Sequence, residues 1–209
     1  LVTELMKEGD LADYVRKRGF LEEYESSLVI RQLLEAVLYL GSVGIIHRDL
    51  KAENIMIKLT KDKSEMEAIK LIDFGFAIFK DTLSSLRTKE KYVGTPNYAA
   101  PEIMQQEDYD ERVDMFSVGV IMYFMLAGRL PFDSVFNEEI YEATVECRYD
   151  IEGTHWTNIS TGAKQLLQRL LVEQGRRIGP AEALKHPWIR EGRELRSLVG
   201  RNRRQKQYI

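Results

Sequence analysis

The sequence is short of the features that would tie it to an oxidising compartment, a membrane or a nucleic acid. Cys147 is the lone cysteine among 209 residues, so the chain can build neither a disulfide framework nor a cysteine-based metal site. A single cysteine of this kind reads as a small, half-buried hydrophobe. The opening residues lack the basic and apolar regions of a secretory signal, and an intracellular, cytoplasmic location is expected. The longest nearly apolar run, residues 116–128, falls short of the roughly 20 residues a helix needs to cross a bilayer. It reads instead as a helix apolar on all sides, buried in the middle of a domain, and no membrane partner is expected. A formal net charge of −3 makes no case for a nucleic-acid partner. There is no internal repeat and no low-complexity tract.

What is present is ordinary for a globular domain: 44% hydrophobic and 30% charged residues, on a chain long enough to bury one proper core. The chain opens on Leu-Val-Thr-Glu-Leu-Met, a β-like stretch without an initiator methionine, which reads as a segment of a longer protein. Gly9-Asp10-Leu11 ends that stretch and starts a short helix to about Arg18. Over residues 24–40, Leu28, Val29, Leu33, Leu34, Val37 and Leu38 recur at three- and four-residue steps, which predicts an amphipathic helix ended by Gly41 and Gly44. Ile55-Met56-Ile57 and Ile69-Lys70-Leu71-Ile72 are short, branched, apolar runs separated by the charged residues 60–67, and predict two strands joined by a solvated loop. Residues 80–91 show no periodicity and are expected to be a loop whose length points to function. Helices are predicted at 137–147 and 159–172, and a last short one from Pro180, a residue favoured in a first turn.

The chemistry gathers where the chain turns between apolar runs. His47-Arg48-Asp49-Leu50-Lys51-Ala52-Glu53-Asn54 packs acid, base and amide into one short stretch before the first strand. Asp73-Phe74-Gly75 follows directly on the second strand. A hairpin returns its second strand beside the first, so Asp73 is expected to approach Asn54 and offer the hard oxygen ligands that Mg²⁺ prefers. Asp49 and Lys51 share one loop, so a carboxylate and an ammonium can face one reacting group. The residues alone therefore describe a magnesium-phosphate site with an acid/base partner. A solvated turn is the bland reading, but a polar cluster of this kind costs desolvation energy.

These motifs, followed in order by Ala100-Pro101-Glu102, resemble the serine/threonine protein kinases over residues 1–189. The resemblance implies an α+β fold class: the mainly helical C-terminal lobe of the protein kinase fold, with a small β-hairpin carrying the catalytic residues. It also implies transfer of the γ-phosphoryl group of Mg²⁺-bound ATP to a protein serine or threonine. Asp49 would orient the substrate hydroxyl and accept its proton, Asn54 and Asp73 would hold the metal, and Lys51 would neutralise charge on the transferred group. Thr95, in Gly94-Thr95-Pro96, would contact Asp49 and Lys51, and with Lys51 it implies serine/threonine specificity. Thr3 falls at the gatekeeper position, Glu4 and Met6 at the adenine-binding hinge, Asp10 at the ribose, and Met56 under the adenine. Asp114, Ser117 and Gly119 match the start of the family's central helix, and Glu102 with Arg177 a structural ion pair. His47 fits a packing role. The stretch from Ala183 through His186-Pro187-Trp188-Ile189 resembles the calcium/calmodulin-dependent group.

Several departures qualify the likeness. The glycine-rich loop, the ATP-anchoring lysine and its glutamate partner are not in these residues. The chain is therefore expected to be a fragment that begins at the hinge, lacks the N-terminal lobe, and transfers phosphate negligibly by itself. Lys91 stands where the family's loop phosphoacceptor usually lies, so Arg48 needs another anion, for which Glu90 is the neighbouring candidate. Glu53 and Asp10 fit positions that read basic residues in a substrate, although Phe124 fills a place often given to glutamate. The basic tail, residues 190–209, also carries Leu195, Leu198 and Val199; it reads as a solvated tail or as an autoinhibitory or calmodulin-binding segment. Two classes of function stay open: an active kinase seen in part, or a pseudokinase or truncated scaffold.

Overall fold

Asp10 starts the first helix by turning its carboxylate back onto the Asp13 N–H at 2.8 Å, a cap that supplies one of the acceptors a helix start lacks. The computed structural model describes residues 4–62, 65–86 and 88–192. Helix α1, Leu11–Arg18, buries Leu11, Ala12, Tyr14 and Val15, and α2, Glu23–Ser42, buries Val29, Ile30, Leu33, Leu34 and Val37 along one stripe. The chain then forms the short strand β1, Ile45–Ile46, passes through the loop with Asp49, and makes a tight turn at Ala52–Asn54. Strand β2, Ile55–Leu59, pairs antiparallel with β3, Met66–Leu71, in the register Ile55↔Leu71 to Leu59↔Met66. Strand β4, Ile78–Phe79, returns to pair with β1. Beyond it lie α3, Thr88–Lys91, α4, Pro101–Met104, α5, Arg112–Ala127, α6, Asn137–Val145, and α7, Thr161–Leu170. Two further turns of helix, α8, Pro180–Ala183, and α9, Pro187–Arg190, each open on proline.

Helix α5 is the axle. Val113 through Leu126 are buried without a break, as the all-round apolar sequence requires. At Gly119 it meets α7 closely: a Cβ added there would lie 2.8 Å from both Leu170 Cβ and Leu171 Cδ2, so only glycine lets the two segments approach this far. Near the N-terminal end of α5, Arg177 sends its guanidinium to both oxygens of Glu102, at 2.5 and 3.0 Å, with each residue 4% exposed.

Two expectations need correction. Residues 4–9 form no strand; beside the hairpin this stretch makes a backbone bond only at Gly9, whose carbonyl accepts the Ile57 N–H at 3.0 Å, and a bridge follows between Asp10 and Met56, too little pairing to make a strand. Residues 80–91 are not structureless, because a 3₁₀ turn covers Lys80–Ser85 and α3 follows. Short hydroxyl side chains stitch that turn: Thr82 Oγ1 donates to Phe79 O and Ser85 Oγ to Thr82 O, both at 2.7 Å. Such local bonding leaves no trace in hydrophobic periodicity. The β1–β4 pair, two residues on each side, was also too short to announce itself.

Candidate active site

The loop from His47 to Asn54 is held from below by α5. Asp114, 2% exposed, accepts the backbone N–H of His47 and of Arg48, each at 2.8 Å, one on each carboxylate oxygen. Burial pushes its carboxyl up to about 6, against the pull of the two N–H donors. Arg48 is thereby fixed in the left-handed region at φ 68°, a conformation that persists only where its surroundings impose it. Gly94 closes over it at φ 125°; a Cβ there would sit 2.7 Å from the Arg48 carbonyl oxygen. His47 is fully buried, its ring 4.9 Å from that of Phe74, and burial lowers its pKa.

Clamped this way, the loop presents Asp49 at the centre of a donor set. Its Oδ1 accepts the Thr95 N–H at 3.0 Å and the Thr95 hydroxyl at 2.7 Å. Its Oδ2 lies 2.8 Å from Lys51 Nζ and 3.3 Å from Asn54 Nδ2. Lys51 Nζ also donates to Thr95 Oγ1 at 2.9 Å, and Asn54 Nδ2 to the Asp49 carbonyl at 2.9 Å. Asp49 is 4% exposed, so the whole set operates largely out of water, where charge interactions are stronger.

Asp73 arrives by the hairpin register. Ile55 faces Leu71, and the Ile72 N–H donates to Asn54 O at 2.9 Å, which brings the residue after Ile72 beside Asn54. Asp73 takes the left-handed conformation, φ 61°, and its Oδ1 accepts the Gly75 N–H at 3.0 Å, while the side chain stays exposed. Among the described residues no three His, Cys, Asp or Glu side chains gather as a ready metal cage. What Asp73 and Asn54 offer is a carboxylate and an amide oxygen, a donor set that fits Mg²⁺ completed by phosphate oxygens.

The residues expected around the nucleotide fall along the hairpin. Glu4 pairs with Lys70, the register partner of Met56, and Met56 bridges Asp10. Met6 is half-buried nearby in sequence, and Thr3 lies outside the described residues. Asp10 spends Oδ1 on its helix cap, and Glu53 Oε1 accepts Arg16 Nη2 at 3.2 Å. Phe124, the third position weighed there, is 5% exposed on α5. The tail from residue 193 onward lies outside the described residues.

Arg48 corrects another expectation. It does not pair with the Glu90 carboxylate but with carbonyl oxygens: Nε donates to Phe76 O at 2.7 Å, and Nη1 to Glu90 O at 2.7 Å and Lys91 O at 3.3 Å. The same Nη1 meets the hydroxyl of Tyr109 at 3.2 Å, and that hydroxyl donates to Lys91 O at 2.6 Å. Lys91 in turn reaches Asp108 at 2.5 Å. Tyr109 was not legible from the sequence, because a lone tyrosine among polar residues carries no periodic or motif signal.

The structure thus sets a buried carboxylate between a lysine and a threonine, with an amide beside it. The chain belongs to the protein kinase family: the family model for the protein kinase domain matches residues 1–189. It is 37% identical over 195 residues to calcium-dependent protein kinase 33 of Arabidopsis thaliana, covering 93% of this chain and 36% of that protein. It is 37% identical over 193 residues to serine/threonine-protein kinase 33 of Mus musculus, covering 90% of this chain and 39% of that protein. It is 38% identical over 193 residues to calcium-dependent protein kinase 3 of Plasmodium yoelii yoelii, with 91% and 35% covered. The chain thus spans well under two thirds of the length of these curated relatives. Among the described residues no helix is long and apolar enough to cross a membrane.

Proposed function

We propose that this chain carries the phosphoryl-transfer machinery of an ATP-dependent serine/threonine protein kinase. The observation that carries the reading is the Asp49 carboxylate, held between Lys51 and Thr95 at 2.7 to 3.0 Å. In this reading Asp49 accepts the proton of a protein serine or threonine hydroxyl as its oxygen bonds to the γ-phosphorus of ATP and the bond from that phosphorus to the bridging oxygen breaks, releasing ADP. The substrate hydroxyl takes the place of the longest contact, Asn54 Nδ2 at 3.3 Å, and Asn54 keeps its orientation through its bond to the Asp49 carbonyl. Lys51 then faces the transferred group and stabilises the charge on its oxygens. Asn54 and Asp73 are the residues that would hold Mg²⁺, which when bound neutralises the phosphates. Thr95 fixes both Asp49 and Lys51 and supports the serine/threonine reading.

The open side of the site bears on the rest of the enzyme. Ile72, Phe74, Phe76 and Phe79 are 40 to 62% exposed on one stretch. Apolar side chains in such a run want cover, and we read this as the surface that a nucleotide-gripping lobe closes over. The 209-residue chain by itself is then expected to transfer phosphate negligibly. The test is transfer of labelled γ-phosphate to protein substrate by the full-length native protein and by this chain. Transfer by the full-length protein, lost on Asp49→Asn, is the expected result, and no transfer there overturns the enzymatic reading. A robust rate from this chain alone overturns the lobe reading. The word calcium-dependent in two relatives' names gives the basic tail a calcium-linked reading, as a calmodulin-binding or autoinhibitory segment; failure of calmodulin to bind the full-length protein in calcium ends it.

A further inference from the structure

At Gly192, the last residue described before the basic tail, the chain is pressed against α2. Trp188 Nε1 donates to Glu23 Oε2 at 2.7 Å, and the buried Gly192 packs so tightly that an added Cβ would collide with the Ser27 hydroxyl. Ser27 is 1% exposed, and Tyr24 and Arg31, three and four residues away, share its face of the helix. Those two residues line a groove of about 610 Å³ between α2 and the turn end of the β2–β3 hairpin, with Leu28 and Met66 as its apolar part. A second groove, which Ile189 and Arg190 help to line, runs into the first, because Arg31 and Glu35 line both. The chain therefore leaves the described fold within one helical turn of an open groove that nothing in phosphoryl transfer uses.

The groove and the residues after Gly192 match in chemistry. Glu35, Glu65 and Glu67 line the groove together with one base, Arg31. Glu35 pairs with Arg31 at 3.1 Å and Glu67 with Lys58 at 3.3 Å, and all four side chains are about half exposed. Pairs of that exposure are weak and yield readily to another cation. Residues 193–209 carry Arg193, Arg196, Arg201, Arg203, Arg204 and Lys206 against the single acid Glu194, and place Leu195, Leu198 and Val199 directly after the exit. The three residues from Gly192 to Leu195 span about 10 Å when extended, while α2 rises only about 12 Å from Ser27 to Glu35. Apolar side chains thus come first, within reach of Leu28 and Met66, and the basic run follows, within reach of the glutamates.

We propose that residues 193–209 dock along the α2–hairpin groove of their own chain, seating Leu195, Leu198 and Val199 on Leu28 and Met66 and turning the basic side chains to Glu35, Glu65 and Glu67. The docking does not rest on the kinase reading. The five residues of β2 hold the groove roughly 15 Å from Asn54. A tail held there leaves the Asp49 loop uncovered, which separates it from an autoinhibitory segment laid over the site.

The test has two arms, both on the whole 209-residue chain. In the first, trypsin cleavage after the tail arginines is timed by mass spectrometry. A docked tail is cut slowly, and cleavage is expected to quicken about tenfold or more in each of two variants. One is Leu195→Asp with Leu198→Asp, which changes only the tail; the other is Glu35→Gln with Glu67→Gln, which changes only the groove. Thermal melts confirm that both variants fold, and the tail change leaves the described fold untouched. Fast cleavage of the unaltered chain, or slow cleavage that either change leaves slow, overturns the proposal. In the second arm, Leu28→Cys and Leu198→Cys are combined with Cys147→Ser, and disulfide formation with oxidised glutathione is followed on non-reducing gels. A monomeric cross-link is expected about tenfold or more faster than for Leu198→Cys with Val135→Cys, a control position 91% exposed just before α6. Equal rates show a tail that visits the groove no more than other surface and overturn the docking. Cross-linked dimers place the tail of one copy in the groove of another and overturn the intramolecular proposal.

Discussion

Asp49 and Asp73 are two aspartates of one site, yet the fold treats them in opposite ways. Asp49 is 4% exposed, with both oxygens engaged by Lys51, Thr95 and Asn54, on a loop anchored to the buried helix α5. Asp73 is exposed, bonded to the Gly75 N–H two residues on, and followed by the exposed Phe74 and Phe76. The first half of the site is pre-organised by the chain's own packing. The second half has its backbone set by the hairpin but its side chain left open. The difference teaches where each half gets its order: the Asp49 half from the large core, the Asp73 half, in the proposed reading, from what binds on top of it. Preorganised donors are worth most where charge develops in a reaction, and in that reading this is the half the core has fixed.

The largest test of this contrast is chemical. Asp49→Asn in the full-length native protein keeps the side chain's size but removes the proposed base and the charge that holds Lys51. A loss of about 10²–10⁴ in kcat is expected, read by phosphate transfer to a peptide. A loss under about tenfold would mean that Asp49 only positions its neighbours. Next comes the stability of the buried half. Arg177→Met leaves Glu102 buried and uncompensated beneath the loop that carries Thr95, and about 3–5 kcal/mol of folding stability is expected to go, measured by urea unfolding of this chain. A loss below about 1 kcal/mol would show that the pair behaves like a surface ion pair and that the contrast in burial has been overdrawn.

The third test concerns the strut between them. Asp114→Asn retains one acceptor for the His47 and Arg48 N–H groups but turns an amide N–H toward the other, at a cost of about 1–3 kcal/mol. It also removes a titration. The folded carboxyl ionises at about 6 against an ordinary 3.8, so between those values the folded state holds the proton more tightly than the unfolded chain. Stability contributed by this group therefore rises as pH falls from about 6 toward 3.8. The stability of the wild type minus that of the variant should grow on acidification through that window, measured by melts at a series of pH values. A difference that stays flat places the carboxyl at its ordinary value.

How much of this was legible in the sequence follows from what each feature depends on. Helix α2 and the β2–β3 hairpin were readable because their apolar residues repeat with the period of the element, and the buried helix α5 because its run has no polar face. The grouping of Asp49, Lys51 and Asn54 was readable because these residues sit in one short contiguous motif. What stayed hidden depends on distant partners. The bond of Asp114 to the His47 N–H and the cage of carbonyls around Arg48 join residues far apart in the chain, and carbonyls carry no residue identity at all.

The smallest expected effect is the sharpest test of the contrast. Asp73→Asn in this chain removes a carboxylate that faces solvent and bonds the Gly75 N–H at 3.0 Å, a contact the asparagine oxygen can keep. Asparagine also tolerates the left-handed conformation that residue 73 adopts at φ 61°. The change in unfolding free energy without Mg²⁺ is therefore expected to stay within about 0.5 kcal/mol, against a clear destabilisation for Asp49→Ala, which strands Lys51 beside an unfilled space. If Asp73→Asn instead destabilises the bare chain as much as Asp49→Ala does, then the Asp73 carboxylate is part of the folded framework. The metal half would then be as pre-organised as the other, and the division of the site into a core-built half and a ligand-built half would fall.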